Sequence, residues 1–134
     1  MFKLIKILNA GTNTPEPVIL PKAEGAIAQG EVLVLSGGKL TKAGATTRPT
    51  HIALAAAAEG EGETVAAEII SDMIFECPVM AGTPQSLAVG TKVCLEIADG
   101  ITVGVNTTTT SGVATVYNAM SATAIGDKIL VKFN

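Results

Sequence analysis

Gln29-Gly30-Glu31-Val32-Leu33-Val34-Leu35 runs directly into Ser36-Gly37-Gly38-Lys39. Residues 31–35 are dominated by aliphatic and β-branched side chains, which favour a pleated, half-buried strand. The Gly-Gly pair that follows suits a tight turn. The opening of this strand recurs along the chain. Ile27-Ala28-Gln29-Gly30-Glu31-Val32-Leu33-Val34 is echoed by Leu87-Ala88-Val89-Gly90-Thr91-Lys92-Val93-Cys94 and by Ala124-Ile125-Gly126-Asp127-Lys128-Ile129-Leu130-Val131. Each time apolar residues lead to Gly, and a polar residue then opens a strand. Gly supplies the positive φ that such a turn demands, and the alternation that follows sends one set of side chains inward. Outward from these sites, residues 2–8, 63–70, 73–76, 92–97, 101–105 and 113–118 also read as strands. Turn signals at Glu59-Gly60-Glu61-Gly62, Ala81-Gly82-Thr83-Pro84 and Asp99-Gly100 separate them. The expected fold is all-β, a small single-domain barrel or sandwich with an extended N-terminal arm and at most one short helix. The helix candidates are residues 53–58 (ALAAAA) and part of 114–124, both short and uncapped; the small alanines fit equally well where two sheets or two subunits approach closely, without any helix.

Two regions are expected. Residues 1–24 form an N-terminal strand and a connector in which Pro15, Pro17 and Pro21 restrict the backbone, and residues 25–134 form the β-rich domain. Lys6 splits the apolar start of the chain, so no continuous signal-peptide core of about 7 residues or more is present. At 134 residues the chain is the size of one domain. Hydrophobic residues make up 48% and charged residues 16%, which is enough apolar surface to offset chain entropy. No apolar run approaches the roughly 18 residues that span a bilayer, so no membrane partner is expected. A net charge of −3 with scattered basic residues argues against nucleic acid. An aromatic fraction of 3% without Trp removes the usual stacking platforms for sugars and bases.

The chain carries little that suggests chemistry. His51 is the only imidazole and no Ser lies in a G-x-S-x-G elbow, so an ordinary strand or interface histidine is the favoured reading. Cys77 and Cys94 are not a CxxC pair and no zinc-ligand set exists; two buried free thiols are expected, although spacing leaves a disulfide open. Glu59, Glu61 and Glu63 alternate with glycines, the pattern of a solvated turn rather than of carboxylates held at a fixed separation. Gly37-Gly38-Lys39 lacks the upstream Gly and the following Ser or Thr of a phosphate loop. Residues 106–112 (NTTTTSG), which include the sequon at Asn106, read as a polar exposed loop. No catalytic residue, cofactor or metal is expected.

The order Gln29–Leu35, Gly37–Ala43, Thr50-His51-Ile52-Ala53-Leu54-Ala55, Gly62-Glu63-Thr64-Val65, Met73-Ile74-Phe75-Glu76 and Cys77-Pro78 resembles the core of tailed-phage capsid decoration proteins, also called head-stabilisation or cement proteins. Gly90-Thr91-Lys92-Val93 and Gly126–Val131 are similar to that family's later strands, so the resemblance covers about residues 25–134. It implies a β-rich, non-enzymatic protein on the exterior of an expanded capsid. Its partner would be the major capsid protein, and it would commonly act as a homotrimer bridging capsid subunits. Assembly would take place in the bacterial cytoplasm. The apolar N-terminal residues Phe2, Leu4, Ile5 and Ile7 are the expected contacts to the shell or to a neighbouring subunit; an ordinary internal strand is the competing reading for the same residues. The alternatives are a β-barrel carrier module presenting Lys39, and a tail or fibre subunit.

Overall fold

The computed structural model describes residues 1–134. In chain order the strands are β1 (Lys3–Ile7), β2 (Val18–Pro21), β3 (Val32–Ser36), β4 (Lys39–Lys42), β5 (His51–Ala53), β6 (Glu63–Glu68), β7 (Met73–Ala81), β8 (Lys92–Ala98), β9 (Ile101–Asn106), β10 (Ala114–Asn118) and β11 (Lys128–Phe133). A single 3₁₀ turn at Pro84–Ser86 is the only helical element. The chain is therefore nearly all β, as the strand patterning predicts.

One sheet has the order β1-β7-β11-β10-β8-β9, and a parallel pairing of β9 with β7 closes five of its strands into a barrel. β1 lies outside this ring, antiparallel to β7. β7 makes this possible by being long. Its first part, Met73 to Glu76, pairs with β1, and β9 takes over on the same edge at Val79. Pro78 sits at the changeover. The Val79 N–H donates to the Asp127 carbonyl beside β11, so the preceding position faces the opposite edge, where Pro78's missing donor falls between the two partners.

The second sheet runs β2-β6-β5-β3-β4. Its outer strands are drawn together where Lys22 meets Leu40, with the Ala23 N–H donating to the Leu40 carbonyl at 2.9 Å. A core of 22 buried residues includes Val32, Ile52 and Ala67 from this sheet and Phe75, Val93 and Val131 from the other, so the sheets share one interior. Phe75 and Phe133 meet edge to face at 5.3 Å, and the Phe2 ring packs 5.5 Å from Phe133.

The structure decides or corrects the sequence expectations at several places. Residues 53–58 take the helix-free, closely packed alternative of the two that the sequence leaves open. Ala53 ends β5, and Ala57 instead forms an antiparallel bridge with Ile27, two backbone hydrogen bonds of 2.9 Å that small side chains let approach. A six-residue stretch cannot recover the cost of helix nucleation, so the bridge wins. Strand β7 continues beyond residue 76 to Ala81, and β6 stops at Glu68. Within 1–24, β1 joins the barrel sheet and β2 pairs with β6, leaving residues 9–17 as the extended connector.

Candidate functional site

The recurring strand opening proves to be one turn, built in the same way each time. In Ala28-Gln29-Gly30-Glu31 the Glu31 N–H donates to the Ala28 carbonyl at 3.1 Å, and the Ala28 N–H donates back to the Glu31 carboxylate at 3.1 Å. Ala88–Thr91 repeats both bonds with a hydroxyl, and Ala124–Asp127 repeats them with a carboxylate. Gly30, Gly90 and Gly126 have φ of 83°, 90° and 95°, as a type II turn requires at its third position. A related turn, Ala58-Glu59-Gly60-Glu61, has the same reciprocal bonds at 3.1 and 3.0 Å, but its Gly60 lacks the positive φ of the other three and so the turn is not type II. It lies within the stretch that the sequence reads as a solvated loop. The Glu61 carboxylate is thus engaged in a turn, and Glu59 and Glu63 remain exposed. The signal that would have revealed this turn is the Ala-x-Gly-polar spacing itself.

Glu31 has a second role. Its carboxylate is fully buried, and the Lys42 ammonium donates to Oε2 at 2.8 Å while lying 2.7 Å from Oε1, a charge contact without a second directed hydrogen bond. Lys42 also donates to the Ala26 carbonyl at 2.7 Å. Lys22 is buried too, and its ammonium donates to the carbonyls of Ala23, Gly25 and Glu59 at 3.3, 2.7 and 3.4 Å. These two lysines fasten residues 23–28 to the second sheet.

The four N-terminal candidates are not equivalent. Phe2 is 3% exposed and Ile7 is at the margin of burial; both belong to the main core, and Leu4 packs against it. Ile5 alone is exposed, at a bulge between Leu4 and Lys6. Lys3 and Lys6 flank it in the open, so β1 combines two devices that discourage a further strand from adding to its edge: a bulge and lysines. The Phe2 N–H donates to the Gly30 carbonyl at 3.1 Å, tying β1 to the first repeated turn.

The residues weighed for chemistry are dispersed. His51, on β5, is buried opposite Glu68, and its Nδ1 lies 2.9 Å from the Thr50 hydroxyl. Desolvation by burial lowers its pKa, with Glu68 opposing. Cys77 and Cys94 are both buried and free. Burial pushes the Cys77 thiol up to about 12, and the Cys94 thiol donates to the Thr110 carbonyl at 3.2 Å. Asn106 ends β9, half-buried, with its amide donating to the Leu95 carbonyl and to Glu96 at 3.2 and 2.9 Å, so the polar loop begins after it. Lys39 is exposed and stands beyond the Gly37-Gly38 turn, opposite Ser36 in the ladder.

What the surface does present is apolar. At the second positions of two repeated turns stand Val89, 73% exposed, and Ile125, 52% exposed, with Met120 and Tyr117 also open to solvent. Both turns are anchored to the barrel, since the Gly90 and Gly126 N–H groups donate to the Val116 and Val79 carbonyls at 2.9 and 2.8 Å. Compared with known proteins, the chain matches no protein-family model and no curated protein.

Proposed function

We propose that this protein is a structural, non-enzymatic component of a bacteriophage virion. In this reading it binds the exterior of the expanded capsid as a homotrimer and stabilises the shell by bridging subunits of the major capsid protein. The sequence resemblance suggests the family, and the observation that carries the reading is the pair of apolar tips, Val89 and Ile125, held on hydrogen-bonded turns of a closed barrel. Side chains that are already ordered lose little conformational freedom on docking. Binding to the expanded state alone would shift the shell toward it by linkage, and three joined copies would turn modest single contacts into durable attachment.

Of the N-terminal candidates, Ile5 is the one with a free side chain. Removing residues 1–12 would strip Phe2 from the core, a loss of about 1.5–3 kcal/mol from that side chain alone, so truncation confuses folding with binding. The decisive experiment is co-sedimentation of the purified protein with unexpanded and expanded heads, using Ile5→Glu and the double variant Val89→Glu/Ile125→Glu. Saturable binding to expanded heads, reduced in at least one variant that keeps the native circular dichroism spectrum, supports the proposal. Failure of the native chain to bind either form overturns it. A gain in intact mass after bacterial expression, localised to Lys39, would point instead to a carrier.

A further inference from the structure

The charges of this chain are unevenly placed. β1, β7 and β11 lie side by side, and alternation along the strands sends one set of side chains to the core and the other outward. Phe75, Cys77, Ile129 and Val131 belong to the core. The outward set is Glu76 and Pro78 on β7 with Lys128, Leu130 and Lys132 on β11. Lys3 stands opposite Glu76 in the register, and Lys6 is exposed beyond the bulge in β1. This sheet face has a half-buried apolar centre, Leu130 and Pro78, with four lysines around it. Glu76 is the only carboxylate on the three strands, and it lies 3.4 Å from the Lys128 ammonium. Lys3, Lys6 and Lys132 have no acidic partner within the chain.

The second sheet carries the opposite charge at the end where β2 finishes and β6 begins. Pro21 lies opposite Glu63 there, and the Lys22 N–H donates to the Gly62 carbonyl at 3.0 Å. Glu24, Glu59, Glu61 and Glu63 are exposed and none forms an ion pair, while the Lys22 ammonium beneath them is buried and spent on carbonyls. This end also has an apolar centre. Ile19, 65% exposed, faces Val65 across the ladder, and Ala55 and Ala56 continue the same shallow hollow.

The two surfaces match. Each has the apolar middle and charged margin of a protein interface, one margin of lysines and the other of glutamates. No ion pair joins them within one chain, so both sets of charges are available to a partner. The net charge of −3 does not oppose their meeting between copies. Exposed charges farther apart than about 8 Å are largely screened at physiological salt, and those brought close are of opposite sign.

We propose that the β1–β7–β11 face of one copy seats on the β2–β6 end of a second copy. A contact between two different surfaces of the same chain is heterologous, the kind that closes a ring. That the ring closes at three copies rests on the functional reading above; the pairing of the surfaces does not.

The test is sedimentation velocity of the full chain over a range of concentrations, at about 50 and about 500 mM NaCl. The double variants are Lys6→Glu/Lys132→Glu on the basic surface and Glu59→Lys/Glu63→Lys on the acidic one. None of these four side chains is buried or in an ion pair, and each variant is checked for the native circular dichroism spectrum. The native chain is expected to self-associate, more weakly at the higher salt. Each double variant should need about tenfold more protein to reach the same degree of association. The variant with all four substitutions exchanges the charges of the two surfaces and should recover association toward the native level. Native-like association of either double variant overturns the proposal, as does a fourfold variant no better than the double ones, or a native chain that stays monomeric throughout. Co-sedimentation with expanded heads is scored separately. Head binding by a chain that does not self-associate removes this contact and leaves the shell reading; charge-dependent association of a chain that binds no heads does the reverse.

Discussion

His51 shows how far a single residue's chemistry depends on its place in a sheet. An imidazole on an exposed strand would titrate near 6.5, but burial in β5 disfavours its cationic form, with Glu68 only partly compensating. The unfolded chain therefore takes up a proton that the folded chain resists. The resulting stability is complete above about pH 6.5, and it is lost as pH falls from that value through the lowered folded one. Urea denaturation between pH 7.5 and 5 should show this decline, and His51→Gln should flatten it. Cys77 follows the same logic with the opposite sign. A thiol held at about 12 is thiolate to roughly one part in ten thousand at pH 8. Iodoacetamide at pH 8 should leave Cys77 unmodified in the native protein and alkylate both cysteines in denaturant, as mass spectrometry would read directly. That the two thiols are free was open in the sequence, because nothing in their spacing says whether two strands bring them together.

The repeated turn and the closing strand are the elements that define this fold, and each makes a testable claim. Glu31→Gln removes the charge opposing Lys42 and weakens a fully buried contact, whereas Asp127→Asn changes the same turn at the surface. Breaking a buried pair costs about 3–5 kcal/mol in general; Lys42 remains partly hydrated, so the lower end applies to Glu31→Gln. The loss at Asp127→Asn should be clearly smaller, and chemical denaturation of the two variants would rank them. Gly104 is the test of barrel closure. A Cβ there would collide with the carbonyl of Pro78, at the point where β9 runs alongside β7. Gly104→Ala should therefore cost about 2–3 kcal/mol, with faster amide exchange at Val105 and Val79. Three copies of the turn were legible because each leads into an uninterrupted aliphatic strand. The related turn at Ala58–Glu61 was hidden, because Gly60 and Gly62 stand on either side of Glu61 and imitate a loop. β2 was obscured by its prolines. Pro21 is tolerated because it is the last residue of a strand at the border of the sheet.

At the scale of the whole molecule, the alternation of apolar residues specified strands but not which partner each would find. The pairing of β7 with β1, β11 and β9 joins residues far apart in sequence, and no local pattern encodes it. The same limit applied to the N-terminal candidates. Their apolar character was visible, but the inward turn of Phe2 and the outward turn of Ile5 depend on Gly30, Phe133 and the bulge in β1. The contact between the Phe2 and Phe133 rings has a consequence for the order in which the gene could be written. The first and last strands both run antiparallel to β7, so a Gly/Ser linker long enough to run back the length of a strand can join residue 134 to residue 1, and new ends can be opened between Ala10 and Gly11, both exposed. Gly11 has no neighbour within 4 Å of where a side chain would begin. Such a circular permutant, in which β1 is synthesised last instead of first, should fold to the same barrel, with the amide spectrum of the parent except near the joint and the cut.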